Sequence, residues 1–183
     1  MASCAITNGL TLPCGANFVG GVEPEVYVGL LSDLLTPIDV TSAAVVTGFS
    51  FRPYKGFKKL QSRKKQFAAG YNVAKAPGGE VSYDHTVNLK LFSGSVTDDR
   101  TLEELAEVND AFFVVVERNR TIKIYGGQQG CEMTEGTQNT GNDSTADTAH
   151  NYTFVAEGEN FLPKRFLFQN YDASLARLDQ LVV

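Results

Sequence analysis

Val81-Ser-Tyr-Asp-His-Thr-Val-Asn-Leu-Lys-Leu91 is the stretch that decides the fold class. In an extended chain Val81, Tyr83, His85, Val87, Leu89 and Leu91 fall on one side, and Ser82, Asp84, Thr86, Asn88 and Lys90 on the other. A period of two held over eleven residues describes a strand with one buried face, whereas a helix would scatter the same apolar residues around its axis.

Outward from this strand the pattern stays β-rich. Phe112-Phe-Val-Val-Val116 is followed by the turn residues Glu117-Arg-Asn-Arg120 and by the alternating Thr121-Ile-Lys-Ile-Tyr125, which together predict a hairpin. Because residues 112–116 are apolar on both faces, that strand needs cover on both sides, from a sandwich, a barrel or a subunit interface. Further strands are expected at 25–31, 44–51, 66–74, 151–157 and 165–170, with breaks such as Ala76-Pro-Gly-Gly79. A single helix is expected at 101–109, with Thr101 as cap, Glu104 completing a capping box, and Leu102, Leu105 and Val108 on one face. Asp98 and Asp99 just before it suit the positive helix end. Residues 126–149 hold Met133 as their one large apolar side chain and read as a polar loop or irregular hairpin.

The chain of 183 residues is long enough for one ordinary core, and we read it as a single β domain over 1–183. With 43% apolar and 20% charged residues, composition excludes wholesale disorder. No run of eighteen apolar residues offers a membrane-spanning helix, and Met1-Ala-Ser-Cys-Ala5 does not open a secretion signal, so synthesis inside a cell and no membrane partner are the expectation. Cys4, Cys14 and Cys131 are odd in number and widely spaced, which favours free thiols over a disulfide framework or a zinc site; a Cys4 to Cys14 bridge stays open.

Chemistry-bearing motifs are missing where an enzyme would need them. The histidines are His85, on the apolar face of the best strand and read as a satisfied core or interface residue, and His150, beside the polar loop. Asp143, Asp147 and His150 match neither a calcium loop nor a zinc helix. Gly126-Gly-Gln-Gln-Gly130 lacks the Lys-Ser/Thr of a P-loop, and its glycines read as turn positions needing positive φ. Asn-x-Ser/Thr triplets begin at Asn119, Asn142 and Asn151. The sequence therefore predicts no enzyme, no cofactor and no metal.

The most unusual feature is electrostatic. A formal net charge of −5 conceals residues 50–79, which hold eight Lys or Arg and no acid, leaving eight basic against 21 acidic residues elsewhere. Arg52, Lys55, Lys58, Lys59, Arg63, Lys64, Lys65 and Lys75 are interleaved with Phe51, Tyr54, Phe57, Phe67 and Tyr71. Aromatics among cations can form a platform for single-stranded nucleic acid. The acidic whole, with pI near 5.0, favours instead a basic segment that docks on the acidic surface of a neighbouring copy. Residues 52–75 are accordingly expected to be an extended basic hairpin or loop, meeting Asp98, Asp99, Glu103, Glu104, Glu107 and Asp110 of another subunit.

Cys4-Ala-Ile-Thr-Asn-Gly-Leu10 with Cys14, then Gly20-Gly-Val22 leading into Val26-Tyr-Val28, resembles the opening of structural proteins in phages of Bacteroidetes-type hosts. Residues 112–126, Gly130, the polar loop, Asn151-Tyr-Thr-Phe154 and Glu157-Gly-Glu159 are similar to phage tail-tube or tail-ring subunits. The resemblance implies a β-sandwich or barrel with one flanking α-helix and a long extended hairpin or loop. Its sheets would join side by side into a homo-oligomeric ring, usually a hexamer, that stacks and encloses a channel through which DNA passes without specific recognition. Its partners would be other virion tail or neck proteins, its location the virion, and its place of synthesis the host bacterial cytoplasm. Three alternatives remain: a ligand-binding sandwich using Tyr83, Tyr125 and Tyr152, a single-stranded nucleic-acid-binding β-barrel, and a tail-completion or capsid-decorating protein.

Overall fold

The alternating stretch forms the longest strand of the molecule, β5 (Val81–Phe92), and its apolar side turns inward: His85, Val87, Leu89 and Leu91 are buried while Val81, at the outer end, is 45% exposed. The computed structural model describes residues 20–39, 45–63, 65–75, 78–92, 95–139 and 149–183. Before β5 come β1 (Val22–Leu30), a 3₁₀ turn at Leu31–Asp33, β2 (Val45–Val46), β3 (Lys58–Gln61) and β4 (Phe67–Lys75). After it come α1 (Val96–Glu107), β6 (Ala111–Glu117), β7 (Ile122–Tyr125), β8 (Glu132–Asn139), β9 (Ala149–Glu159), β10 (Lys164–Phe166) and α2 (Tyr171–Asp179).

The strands form two open sheets, a six-stranded one in the order β2-β10-β7-β6-β1-β3 and a four-stranded one in the order β4-β5-β9-β8. The protein is thus mostly β and sandwich-like, as the sequence leads one to expect. The β6–β7 hairpin is present, with Val114 opposite Ile124, and every residue of 111–116 is buried. Alternation explains the double burial. Phe113 and Val115 face the four-stranded sheet and share a core with Val87, Leu89, Phe154, Leu102 and Leu105. Phe112, Val114 and Val116 face the other way, into a second core with Phe49, Phe57, Phe166 and Leu178 of α2. The cover for the two-faced strand therefore comes from within the chain.

Several expectations need correction. Residues 52–75 do not fold on themselves as a free hairpin: β3 pairs with β1 in one sheet (Tyr27 opposite Lys59), and β4 pairs with β5 in the other (Tyr71 opposite His85). The bend between them is tied to both sheets, with Ser62 N donating to Pro24 O at 2.9 Å and Ser62 Oγ to Lys90 O at 2.6 Å. The long hairpin of the fold is β4–β5. Residues 126–149 take the second of the two forms expected for them, an irregular hairpin and not a loop throughout: β8 pairs along β9 with a register shift between Met133 and Glu135. There are two described helices, not one. α1 begins a turn and a half earlier than expected, with Ser95 Oγ accepting from Asp98 N at 3.2 Å, so Ser95 and not Thr101 is the cap. Leu102 and Leu105 pack inward, and Val108, which ends the helix in extended conformation, is partly buried against the same core. Of the strand expected at 44–51 the described residues form Val45–Val46, and of that expected at 165–170 Arg165 and Phe166 belong to β10, after which a bend leads to α2, capped by Asn170. Cys4, Cys14, Lys64, Asn142, Asp143 and Asp147 lie outside the described residues.

Candidate functional site

The basic residues are dispersed by the two strands that carry them. Lys59, on β3, has Nζ 2.9 Å from Glu25 Oε2 and 3.0 Å from Asp179 Oδ1, and lies 5.4 Å from the centre of the Tyr27 ring. Tyr27 Oη donates to the same Asp179 oxygen at 2.8 Å. Burial alone would lower the Lys59 ammonium, but the hydrogen bonds to Glu25 and Asp179 outweigh it and hold it above its ordinary value. Partial burial would raise the Asp179 carboxyl; the Tyr27 and Lys59 bonds pull it below the usual carboxylate range. Lys55 pairs with Asp33 at 3.1 Å, Lys58 Nζ donates to Val183 O at 3.1 Å, and Arg63 stacks 4.8 Å from the Phe92 ring centre. Arg52, Lys65 and Lys75 are exposed.

The acids brought to this segment are Asp33, Glu25 and Asp179 of the same chain, distant in sequence and close in space. Among the expected docking acids, Glu104 is 3.0 Å from Arg100, Asp110 Oδ2 accepts from Ser32 N at 3.0 Å, Asp98 and Asp99 sit in the first turn of α1, and Glu103 and Glu107 are exposed. The aromatic platform dissolves as well. Phe57 and Phe67 are core residues, Phe51 packs 4.9 Å edge-on to Phe57, and only Tyr54 and Tyr71 of that set are exposed. Tyr83, Tyr125 and Tyr152 lie in three different surroundings: against Tyr71, under His85, and against Phe154.

The Gly126–Gly130 turn is built as its glycines suggest, with φ of +69° at Gly126 and +83° at Gly130. Its amides are already occupied. Buried Glu159 accepts from Gln128 N at 3.0 Å and Gln129 N at 2.9 Å through Oε1, so the chain's own carboxylate fills the place an anion would take. His85 Nδ1 accepts from Gly126 N at 3.1 Å and its Nε2 lies 2.9 Å from Phe161 O, which fixes the neutral ring with the proton on Nε2. Burial lowers the His85 basicity against the opposing charges of Glu159 and Asp84 and the Phe161 carbonyl. Cys131 is a free, buried thiol, and burial pushes it up and out of nucleophilic range. Among the described residues no three His, Cys, Asp or Glu are placed to hold a metal ion.

The chain matches no family model, no curated protein and no solved structure.

Function must therefore be read from the surface, and the surface features that stand out are ones the sequence did not signal. The six-stranded sheet has protected edges: β2 is two residues long, and the start of β3 is covered by the C-terminal residues, with Phe57 N donating to Leu181 O at 2.8 Å and Val183 N to Phe57 O at 3.1 Å. The four-stranded sheet does not. Its edge strands β4, nine residues, and β8, eight residues, each pair on one side only among the described residues. Beside β8 lies a cleft of about 500 Å³ between α1 and the β8–β9 pair. No helix of the described residues is long and apolar enough to cross a membrane.

Proposed function

We propose that the chain is a structural subunit that joins copies of itself into a closed ring or tube, as in a phage tail tube or a tail or neck ring around a DNA channel. The observation that carries this reading is the contrast between the sheets: one has its edges blunted, while the other ends on two long edge strands, β4 and β8, that pair on one side only among the described residues. Long edge strands invite strand addition, and a protein that keeps them has a use for them. β4 and β8 run in opposite directions, because three antiparallel steps separate them. Adding β4 of one copy to β8 of the next thus continues the antiparallel ladder, and repetition of this head-to-tail junction closes into a ring.

Charge supports the pairing. Residues 65–79 beside and along β4 contain Lys65 and Lys75 and no acid; β8 contains Glu132 and Glu135 and no base, so the two edges attract as wholes, although Lys75 and the two glutamates project from opposite faces of the sheet. The face of the four-stranded sheet turned away from the core is polar, carrying Asn72, Asp84, Thr86, Asn88, Thr153, Glu132 and Glu135 among others. A channel lined by such a wall, hydrated and net acidic, repels phosphates; Lys90 and Phe92, with Arg63 stacked on the Phe92 ring, lie at one end of it. The nucleic-acid-binding alternative is weakened by the burial of Phe57 and Phe67.

Sedimentation velocity and negative-stain imaging of purified protein test the assembly. Rings or tubes of uniform diameter are the expected result. A particle that stays monomeric at millimolar concentration would overturn the reading.

A further inference from the structure

We infer that neighbouring copies are locked by an aromatic knob, Tyr71 on the edge strand β4, seated in the cleft between α1 and β8 of a second copy of this chain. The inference rests on the assembly reading above and specifies its contact.

Tyr71 stands opposite His85 and so belongs to the core-facing side of its sheet. On that side burial stops at His85, which is 2% exposed, yet the apolar surface continues outward through Tyr71 at 47%, Val73 at 60% and Val81 at 45%. Tyr83 packs edge-on against Tyr71, 6.2 Å between ring centres, which holds the exposed ring in place. An ordered aromatic on an edge strand presents large contact area at small entropic cost.

The receiving surface is the opposite edge of the same sheet. Met133 and Gly136 lie on the core-facing side of β8, opposite Phe154 and Tyr152, and form one wall of the cleft; Leu102, Asp99 and Glu103 of α1 form the other. Gly136 leaves the Tyr152 ring uncovered there, since a methyl at this position would already stand 3.2 Å from it. When β4 of one copy adds to β8 of the next, the core-facing side of β4 continues that of β8, directly under α1. Charge selects a second copy as the occupant: Lys75 shares the face of β4 that carries Tyr71, and Asp99 and Glu103 rim the cleft. The tyrosine ring then meets Leu102 and Met133 while its hydroxyl stays at the acidic, solvated rim.

The test mixes two proteins that each carry one introduced cysteine beside buried Cys131, Tyr71→Cys and Glu103→Cys, both with Cys4→Ser and Cys14→Ser, and treats them with a short bis-maleimide. A cross-linked pair that forms only in the mixture is expected. In parallel, Tyr71→Ser should raise the concentration needed for assembly by on the order of 30-fold, the effect of losing an interface hot spot, with the monomer's melting temperature unchanged, and Tyr71→Phe should assemble normally. Assembly that survives Tyr71→Ser without cross-linking would overturn the knob and leave the ring standing. A wild-type protein that never assembles would overturn both, and a Tyr71→Cys/Glu103→Cys chain that cross-links within a dilute monomer would overturn the knob alone.

Discussion

His85 illustrates how far a single residue can be read. Its place on the apolar side of β5 marks it as a core histidine, and the structure adds what the pattern cannot: the two partners, Gly126 N and Phe161 O, that satisfy the neutral ring. Because its folded basicity is depressed, the unfolded chain binds the extra proton first. Its stabilising contribution is complete above an unfolded value of about 6.5 and is lost as pH falls from there through the lower folded value. The melting temperature is expected to drop as pH falls below about 6.5, and His85→Gln, which keeps one acceptor and one donor, should flatten that limb; an unchanged pH profile in the variant would show that another group is responsible. Lys59 was legible only as one of eight cations in residues 50–79. Its partners Glu25 and Asp179 are separated from it by 34 and 120 positions, so no local charge pattern reveals that it is an internal clasp and not a docking residue.

At the scale of elements, alternation made β5 and the β6–β7 hairpin legible because a buried face imposes a strict period of two. β8 escaped for the converse reason. It is an edge strand with Met133 as its only large apolar residue, so its residues Glu132-Met-Thr-Glu-Gly-Thr-Gln-Asn139 carry no buried-face signature. α2 was missed although its signal existed: Asn170 accepts from Ala173 N at 2.9 Å, and Tyr171, Leu175 and Leu178 have helical spacing, but the preceding Arg165-Phe-Leu-Phe168 run suggested strand. That helix closes the second core, and its loss is measurable. Leu178, 0% exposed, should cost about 2–5 kcal/mol when replaced by Ala. Tyr27→Phe, which removes only the bond to half-exposed Asp179, should cost about 1 kcal/mol by denaturant titration. Equal costs would mean that the Tyr27–Lys59–Asp179 clasp, and not burial of Leu178, holds α2 to the sheet.

For the molecule as a whole, the uneven charge of the chain is its most suggestive global feature, and the fold changes which part of it can act between copies. Lys55 and Lys59 are paired internally, so reversing the entire basic segment would damage the subunit and confuse assembly with stability. Lys65 and Lys75 at the β4 edge, and Glu132 and Glu135 on β8, are exposed and belong to opposite ends of one sheet. Single rim pairs contribute on the order of 0–1 kcal/mol, so the informative experiment makes whole edges repel. A Lys65→Glu/Lys75→Glu protein would bring two acidic edges together, and a Glu132→Lys/Glu135→Lys protein two basic ones; each alone is expected to assemble poorly at low salt and better in 1 M salt, where the screening length is about 3 Å. Mixed in equal amounts the two should assemble again. In a head-to-tail junction the acidic β4 of one variant meets the basic β8 of the other, and the remaining junction pairs the native basic β4 with the native acidic β8. A two-fold junction, in which like edges meet, is separated from this by the wild type, where it would set two basic β4 edges or two acidic β8 edges against each other. Strict alternation also closes only rings with an even number of subunits, so native mass measurement of the mixture should return equal counts of the two variants in each ring. Either variant assembling alone as the wild type does, or a mixture that stays dissociated, would show that these edges do not meet.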